Sequence, residues 1–177
     1  MKIEETKFKD LFILKNNHFS DNRGSFAEIY RNDLLNNKLS YRADFCQHNL
    51  VNSKKNVLRG LHFQKPPFSQ SKLITVVKGK ILDVVVDIRK NSDTYGKYFS
   101  ITLTDDFTSL FIPKGFAHGY LTISENAVIS YLVDNYYNPL YEENIHVFDN
   151  FLNINWEIDK DDMIISKKDM NANKFKW

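Results

Sequence analysis

The sequence predicts an all-β protein of the sandwich, barrel or jelly-roll type, with a few short helices. Short runs rich in Val, Ile, Phe, Tyr and Thr recur between turn signals, as is typical of strands. The runs are SFAEIY after DNRG, KLITVVKG, KILDVVVDI, KYFSITLT, SLFIP, FAHGYLTI and AVISYLV. Many short strands at such spacing indicate two packed sheets or a closed sheet.

Two elements can be placed more closely. The run KLITVVKGKILDVVVDI predicts a hairpin that turns at Lys78-Gly79, because glycine tolerates a positive φ and strand-like residues resume on both sides. Helical signals are weak. NDLLNNKL, residues 32 to 39, predicts a short helix capped by Asn32, and the tail from Trp156 to Trp177 predicts a turn or two of helix.

Length and composition predict one domain that spans residues 1–177. A chain of 177 residues with 42% hydrophobic and 14% aromatic residues can bury a full core. There is no internal repeat, low-complexity block or linker-like segment at which a boundary would be drawn.

Charge and targeting signals predict a cytoplasmic protein with no nucleic-acid or membrane partner. The 24 Lys and Arg residues and 22 Asp and Glu residues are spread along the chain, for a net charge of +2. The N-terminal segment carries acidic residues and no apolar stretch, and no later run approaches the roughly eighteen apolar residues of a spanning helix. The single cysteine, Cys46, excludes an intramolecular disulfide and is expected to be buried.

The stretch VLRGLHFQKPPFSQSKL, residues 57 to 73, carries an unusual number of nitrogen-bearing side chains between apolar runs. In a regular strand Arg59 and His62 would face opposite sides. Gly60 lies between them, and a bulge there would turn both side chains to one face, which is the first indication of a site. The alternative is an exposed arginine and a hydrogen-bonded core histidine.

A second histidine, His118, lies in IPKGFAHGYLTI, which fits either a ligand site or a corner of the fold. A metal site is not expected, because the triplet His62-Phe63-Gln64 lacks the second histidine of the His-x-His pattern common in jelly-roll metal sites. Proton transfer is the remaining chemistry for a histidine. Tyr131 is the candidate acid, with a core tyrosine as the alternative. The other three histidines are expected at the surface: His18, His48 and His146.

Motifs from about residue 10 to 169 resemble the dTDP-4-dehydrorhamnose 3,5-epimerase family. They are DNRGSFAEIY, QHNLVNS, VLRGLHFQKPPFSQSKLITVVKGKILDVVVDIRKNSDTYGKY, IPKGFAHGYL, SYLVDNYYNPLYEE, INW and SKKD. The resemblance implies a cupin-type jelly roll, also called a double-stranded β-helix. It also implies a homodimer formed by exchange of N-terminal strands, in which the apolar run Leu11 to Leu14 would otherwise be an exposed edge.

The resemblance assigns roles residue by residue. His62 would be the general base, Tyr131 the acid on the opposite face of the sugar, and Asp169 the carboxylate that orients His62. Lys72 would stabilise the enolate oxygen, Tyr137 would stack on the nucleotide base, and Phe26 would pack nearby. The residues expected to line the nucleotide-sugar site are Arg23, Glu28, Gln47, Asn49, Arg59, His118, Glu142 and Lys168.

The implied reaction inverts carbons 3 and 5 of a nucleotide-linked 4-keto-6-deoxy sugar, converting dTDP-4-dehydro-6-deoxy-D-glucose to dTDP-4-dehydro-L-rhamnose. The ketone acidifies the hydrogens on its neighbouring carbons, so a base, a cation for the enolate and an acid suffice without a cofactor or metal. Three alternatives stay open: inversion of a single centre, a GDP-linked or heptose substrate, and a sugar-binding jelly roll without turnover. A metal-dependent cupin oxygenase is less favoured.

Overall fold

The computed structural model describes residues 1–175, and strands dominate that range. The strands are β1 (Lys2–Glu5), β2 (Phe12–Lys15), β3 (His18–Asp21), β4 (Gly24–Ala27), β5 (Gln47–Lys54), β6 (Val57–Gln64), β7 (Lys72–Lys78), β8 (Lys80–Asp87), β9 (Tyr98–Thr104), β10 (Thr108–Ile112), β11 (Phe116–Thr122), β12 (Asn126–Val133), β13 (Glu142–Asn144) and β14 (Ile164–Ile165). The helices are α1 (Asn32–Asn36), α2 (Lys167–Met170) and a 3-10 turn at Lys160–Asp162. Within residues 1–175, no helix is long and apolar enough to cross a membrane.

Two antiparallel sheets form the body of the fold. Sheet I has the order β1-β2-β10-β7-β12-β5, and sheet II has the order β13-β6-β11-β8-β9, with β14 added parallel to β6. Strands β3 and β4 pair with each other as a separate hairpin. Strands that are neighbours in a sheet are often far apart in the sequence, as in a jelly roll. The prediction of an all-β jelly roll with a few short helices is confirmed.

Apolar residues are buried in three layers. The central layer, which includes Ile74, Val85 and Ile129, lies between the sheets. A second layer covers the outer face of sheet II with the C-terminal segment around Trp156. A third covers part of the outer face of sheet I with α1 and the segment that follows it. Strands covered on both faces read as continuous apolar runs, which explains the buried pattern of β8 and β11.

The predicted hairpin at Lys78-Gly79 is wrong. Strand β7 pairs with β10 and β12 in sheet I, whereas β8 pairs with β9 and β11 in sheet II, so the chain changes sheets at this turn. Gly79 has a φ of 89°, and a Cβ there would lie 2.3 Å from the carbonyl oxygen of Asn126. The turn therefore needs glycine, but the sequence signal for it does not distinguish a hairpin from a crossing between sheets.

Three smaller expectations also fail. Helix α1 begins at Asn32 itself, and its N-cap residue is Arg31, which makes no side-chain cap bond within the described chain. Cys46 is exposed instead of buried. The run around Leu11 and Leu14 is no exposed edge, because β2 pairs with β1 on one side and β10 on the other and both leucines are fully buried. Helix is present in the predicted tail, whose positions 176 and 177 lie outside the described residues.

Candidate active site

A bulge in β6 brings Arg59 and His62 to one face of sheet II, as Gly60 predicts. In the pairing with β11, His62 lies opposite His118 and Arg59 lies opposite Tyr120, so three steps on β6 match two on β11. Gly60 has a φ of 131°, and a Cβ on it would lie 2.5 Å from the Cα of Gly119. Only glycine fits this close approach of two backbones.

His62 is held by Asp169. Its Nε2 lies 2.7 Å from Oδ1 of Asp169, and the two side chains are 32% and 4% exposed. Because a carboxylate only accepts, Nε2 carries the proton and Nδ1 is the nitrogen free to accept one. Burial acts to raise the pKa of Asp169, but the hydrogen bond and charge of His62 outweigh it and leave that pKa below its usual range.

The position of Asp169 follows from the local sequence SKKD. Ser166 is the N-cap of α2, and its Oγ accepts a hydrogen bond of 3.1 Å from the backbone nitrogen of Asp169. This cap fixes the first turn of the helix beneath β6. The sequence separates Asp169 from His62 by 107 residues, so their contact depends on the whole C-terminal segment packing back onto sheet II.

A cavity of about 310 Å³ opens between the ends of the two sheets next to His62. His62 stands on β6, whereas Lys72 and Tyr131 come from β7 and β12 of the opposite sheet. The cavity is lined by Gln47, Asn49, His62, Phe63, Gln64, Gln70, Lys72, Tyr131, Val133, Tyr137 and Glu142. The imidazole of His62, which can act as a base, therefore faces the hydroxyl of Tyr131 and the ammonium group of Lys72 across one small cavity.

Burial sets the protonation of the two groups opposite His62. It lowers the pKa of Lys72 to about 8, against the carboxylates of Asp83 and Glu142, which act to raise it. Burial raises the pKa of Tyr131, although the nearby charge of Arg59 acts to lower it. At neutral pH Lys72 is therefore mostly an ammonium and Tyr131 keeps its proton.

The mouth of the cavity is organised by Glu142. Its Oε2 accepts a hydrogen bond of 2.9 Å from the hydroxyl of Tyr137 and forms an ion pair with Lys168. Burial acts to raise the pKa of Glu142, but the bonds from Lys168 and Tyr137 hold it below its usual range. Gln47 accepts from the backbone nitrogen of Tyr137 and donates to Asn49. These contacts fix one tyrosine ring, 52% exposed, beside the opening.

Comparison with known proteins decides the family. The family model for dTDP-4-dehydrorhamnose 3,5-epimerase matches residues 5–176. The chain belongs to the dTDP-4-dehydrorhamnose 3,5-epimerase family. It is 37% identical over 176 residues to the enzyme of that name from Shigella flexneri, covering 99% of this chain and 96% of that protein.

Solved structures of epimerases agree in fold. The dTDP-4-dehydrorhamnose 3,5-epimerase of Elizabethkingia anophelis NUHP1 superposes with a TM-score of 0.95 at 40% identity, covering 99% of this chain and 96% of that one. The dTDP-6-deoxy-D-glucose-3,5-epimerase of Legionella pneumophila Philadelphia 1, in complex with dTDP-4-keto-L-rhamnose, has a TM-score of 0.92 at 36% identity, covering 98% of this chain and 92% of that one. The cupin-type fold expected from the resemblance is thus confirmed.

Two residues that the family resemblance assigns to the site lie beside the cavity. His118 is buried next to His62, and its Nε2 lies 2.9 Å from Oδ2 of Asp83. Arg59 donates from Nε to the hydroxyl of Ser53 at 3.1 Å and is itself exposed. Its positive charge acts on Tyr131, which lines the cavity.

Three further residues are not brought to the cavity of this chain. Arg23 and Phe26 lie on the β3–β4 hairpin, where they line a separate surface groove, and Glu28 follows that hairpin and is exposed. Arg23 forms an ion pair with Asp21 on the same hairpin. The hairpin pairs with no other strand of residues 1–175, and most of its residues are exposed.

Sequence reasoning missed two polar residues that line the cavity, besides the apolar Phe63 and Val133. Gln64 accepts from the backbone nitrogen of Asn138 and donates to the carbonyl of Phe68, so it joins two loops at the cavity. Gln70 donates to the carbonyl of Asn135. Gln64 could have been found, because it lies two residues after His62 and strand alternation puts both on one face. Gln70 lies in a loop, where no periodicity applies.

Proposed function

We propose that this protein inverts carbons 3 and 5 of dTDP-4-dehydro-6-deoxy-D-glucose to give dTDP-4-dehydro-L-rhamnose. The observation that carries the proposal is the placement of an oriented, partly exposed imidazole across a cavity from a protonated tyrosine and an ammonium group. A binding module needs polar contacts, but it has no use for a base and an acid on opposing walls.

In the proposed mechanism His62 removes the hydrogen next to the ketone through Nδ1. The proton added to the ring makes an imidazolium, which the Asp169 carboxylate stabilises. The enolate oxygen takes up the electron pair, and the Lys72 ammonium stabilises its charge. Tyr131 then delivers its proton to the other face of the carbon. The centre is inverted. His62 then releases its proton to solvent and Tyr131 takes one up, so that the cycle can repeat at the second carbon next to the ketone.

The nucleotide part of the substrate accounts for the groups at the cavity mouth. A diphosphate brings two linked anionic groups, and the exposed guanidinium of Arg59 can bind such oxygens in a bidentate manner. Tyr137 offers an exposed ring on which a base can stack, and Glu142 holds its hydroxyl. His118, Gln47, Asn49 and Lys168 complete the proposed binding set. The cytoplasmic location and the single domain over residues 1–177 stay predictions.

A homodimer is proposed on the evidence of the exposed β3–β4 hairpin. Phe19 and Phe26 on it are 64% and 67% exposed, which is unfavourable for large aromatic side chains in water. Arg23, Phe26 and Glu28, assigned to the site by family resemblance, would reach a cavity if the hairpin of one copy packs onto a second copy. Light scattering should give twice the chain mass of 20.8 kDa, and a monomer at micromolar concentration would contradict this.

The function is tested by NMR of the products formed in heavy water. With dTDP-4-dehydro-6-deoxy-D-glucose we expect deuterium at carbons 3 and 5 and inversion of both. Inversion of one centre would identify a single-centre epimerase. Binding of the nucleotide sugar without any deuterium incorporation would overturn the proposal in favour of a sugar-binding jelly roll. Parallel samples with a GDP-linked 4-keto sugar establish the preference for the base.

A further inference from the structure

Gln64 is a buried amide at the end of β6, and its side chain bonds to backbone groups of two loops. It is 8% exposed and lines the cavity. Its Oε1 accepts a hydrogen bond of 2.7 Å from the nitrogen of Asn138, and its Nε2 donates to the carbonyl oxygens of Phe68 at 2.9 Å and Tyr136 at 3.3 Å. An amide nitrogen carries two hydrogens, so both carbonyls can be satisfied at once.

Two of these contacts lie on either side of Tyr137. Gln64 donates to the residue before it and accepts from the residue after it, so one side chain holds both flanking peptide groups. The nitrogen of Tyr137 itself donates to Oε1 of Gln47 at 3.2 Å. Its hydroxyl donates to Glu142, which is the cross-strand neighbour of Gln64 on β13. The backbone and the hydroxyl of this tyrosine are therefore both fixed, although the residue is 52% exposed.

A ring that is both exposed and fixed is suited to binding a flat ligand. An exposed side chain normally keeps its rotamer freedom, and a ligand that orders it must offset the lost entropy. We propose that Gln64 is a positioning residue for nucleotide recognition: it holds the segment around Tyr137 so that the ring is presented to a nucleotide base at the cavity mouth. This inference rests on the proposed function, which assigns that ring to the base.

The contacts of Gln64 require a primary amide of this length. A glutamate could accept from Asn138, but its oxygens would face the carbonyls of Phe68 and Tyr136 without a hydrogen to donate. A methionine keeps the length and fills a similar space, but it makes none of the three hydrogen bonds. Gln64→Met should therefore release the segment around Tyr137 with little change in the volume of the cavity.

A double-mutant cycle with dTDP as the ligand tests the inference. Calorimetry measures Kd for the wild type, Gln64→Met, Tyr137→Ala and the double variant. Removing the ring should raise Kd about tenfold, as expected for a base stacked on an aromatic side chain. Gln64→Met should raise it about fivefold, and because Gln64 acts through the ring, the double variant should bind no more weakly than Tyr137→Ala alone. Losses that multiply to about fiftyfold would overturn the inference.

Asn36→Leu is the matched control. Asn36 also accepts from a backbone nitrogen, that of Ala43, and donates to backbone carbonyls, but it lies in α1 and is not one of the residues that line the cavity. Its loss should lower thermal stability and leave Kd for dTDP within about twofold of the wild-type value. A loss of affinity equal to that of Gln64→Met would show that any loosened amide contact affects binding, and the inference would be wrong.

Amide hydrogen exchange needs no ligand, so it separates this inference from the proposed function. The nitrogen of Tyr137 donates to Gln47 and not to Gln64, so faster exchange there in Gln64→Met reports release of the segment and not the loss of one acceptor. We expect that exchange to be about fivefold faster by NMR. An unchanged rate in a folded Gln64→Met protein would contradict the inference.

The two failures can be told apart. If exchange at Tyr137 is faster but neither dTDP binding nor inversion of the sugar is found, the proposed function fails and the hold of Gln64 on Tyr137 stands. If the sugar is inverted but the losses in the cycle multiply, the inference fails and the function stands.

Gln64→Asn covers the case in which Gln64→Met does not fold. It keeps an amide but is one methylene shorter, so it cannot reach Phe68 and Asn138 together. We expect the affinity for dTDP to fall again, and we expect the fall to disappear when Tyr137→Ala is already present. Wild-type affinity in a folded Gln64→Asn protein would overturn the inference.

Discussion

Residues 1–175 contain two imidazole–carboxylate pairs whose histidines stand on the neighbouring strands β6 and β11, and the pairs differ mainly in exposure. His62 and Asp169 are 2.7 Å apart, and His118 and Asp83 are 2.9 Å apart. The side chain of His62 is 32% exposed and opens to the cavity, whereas that of His118 is 9% exposed. Pairing with a carboxylate therefore does not by itself identify which of the two histidines is the base. Access of a second ring nitrogen to a substrate does.

The largest effect should come from removing the exposed member of these pairs. We expect His62→Ala to lower both deuterium exchange and inversion by more than about 10⁴-fold, because no enolate forms without the base. NMR of substrate recovered from heavy water measures both quantities. Exchange at the wild-type rate would mean that another group is the base. Exposure of the histidine would then no longer identify the pair that takes part in the reaction.

Tyr131→Phe should separate the two proton transfers. The ring and its packing remain, but the proton donor on the opposite wall is gone, so inverted product should fall by roughly 10² to 10⁴-fold. Exchange should persist in part, because His62 can return deuterium to the original face. The same NMR samples are scored for deuterium against epimer yield. If both centres invert at the wild-type rate, the acid lies elsewhere, with Tyr137 or a bound water as the next candidate.

Asp169→Asn tests what the carboxylate adds to the exposed histidine. The amide can keep a contact with Nε2 but cannot stabilise an imidazolium, and it can also favour the wrong tautomer. We expect kcat to fall about 10²-fold, with little change in the affinity for dTDP measured by calorimetry. Wild-type turnover in a folded Asp169→Asn protein would mean that the α2 contact serves only the packing of the tail.

The functional pair could be anticipated only in part from the chain itself. Gly60 predicts the bulge because local backbone geometry demands glycine there, and the pairing of β6 with β11 shows it. The contact of His62 with Asp169 spans 107 residues, and no local pattern encodes it; only family resemblance suggested it. Asp83 was missed because a single aspartate in an apolar run carries no periodic signal, and its burial depends on both sheets.

The turn at Gly79 shows a similar limit. Glycine and the flanking strands were identified correctly, but local sequence does not encode which sheet each strand joins. The same holds for Arg23, Phe26 and Glu28, whose motif was identified but which do not line this chain's own cavity. Tertiary and quaternary placement decide these cases, whereas local conformation decides the bulge.

The smallest expected effect is on stability, and it tests the more buried pair, His118 and Asp83. His118→Ala leaves Asp83 as an unpaired carboxylate inside sheet II, which should cost about 3 to 5 kcal/mol of unfolding free energy. His62→Ala also frees a carboxylate, but cavity water can enter the space and solvate Asp169, so the loss should be about 2 kcal/mol smaller. Urea denaturation at pH 7 measures both, provided that the m-values agree. Equal losses would show that the two carboxylates are equally accessible to water, and exposure would then no longer explain why one pair faces the reaction and the other supports it.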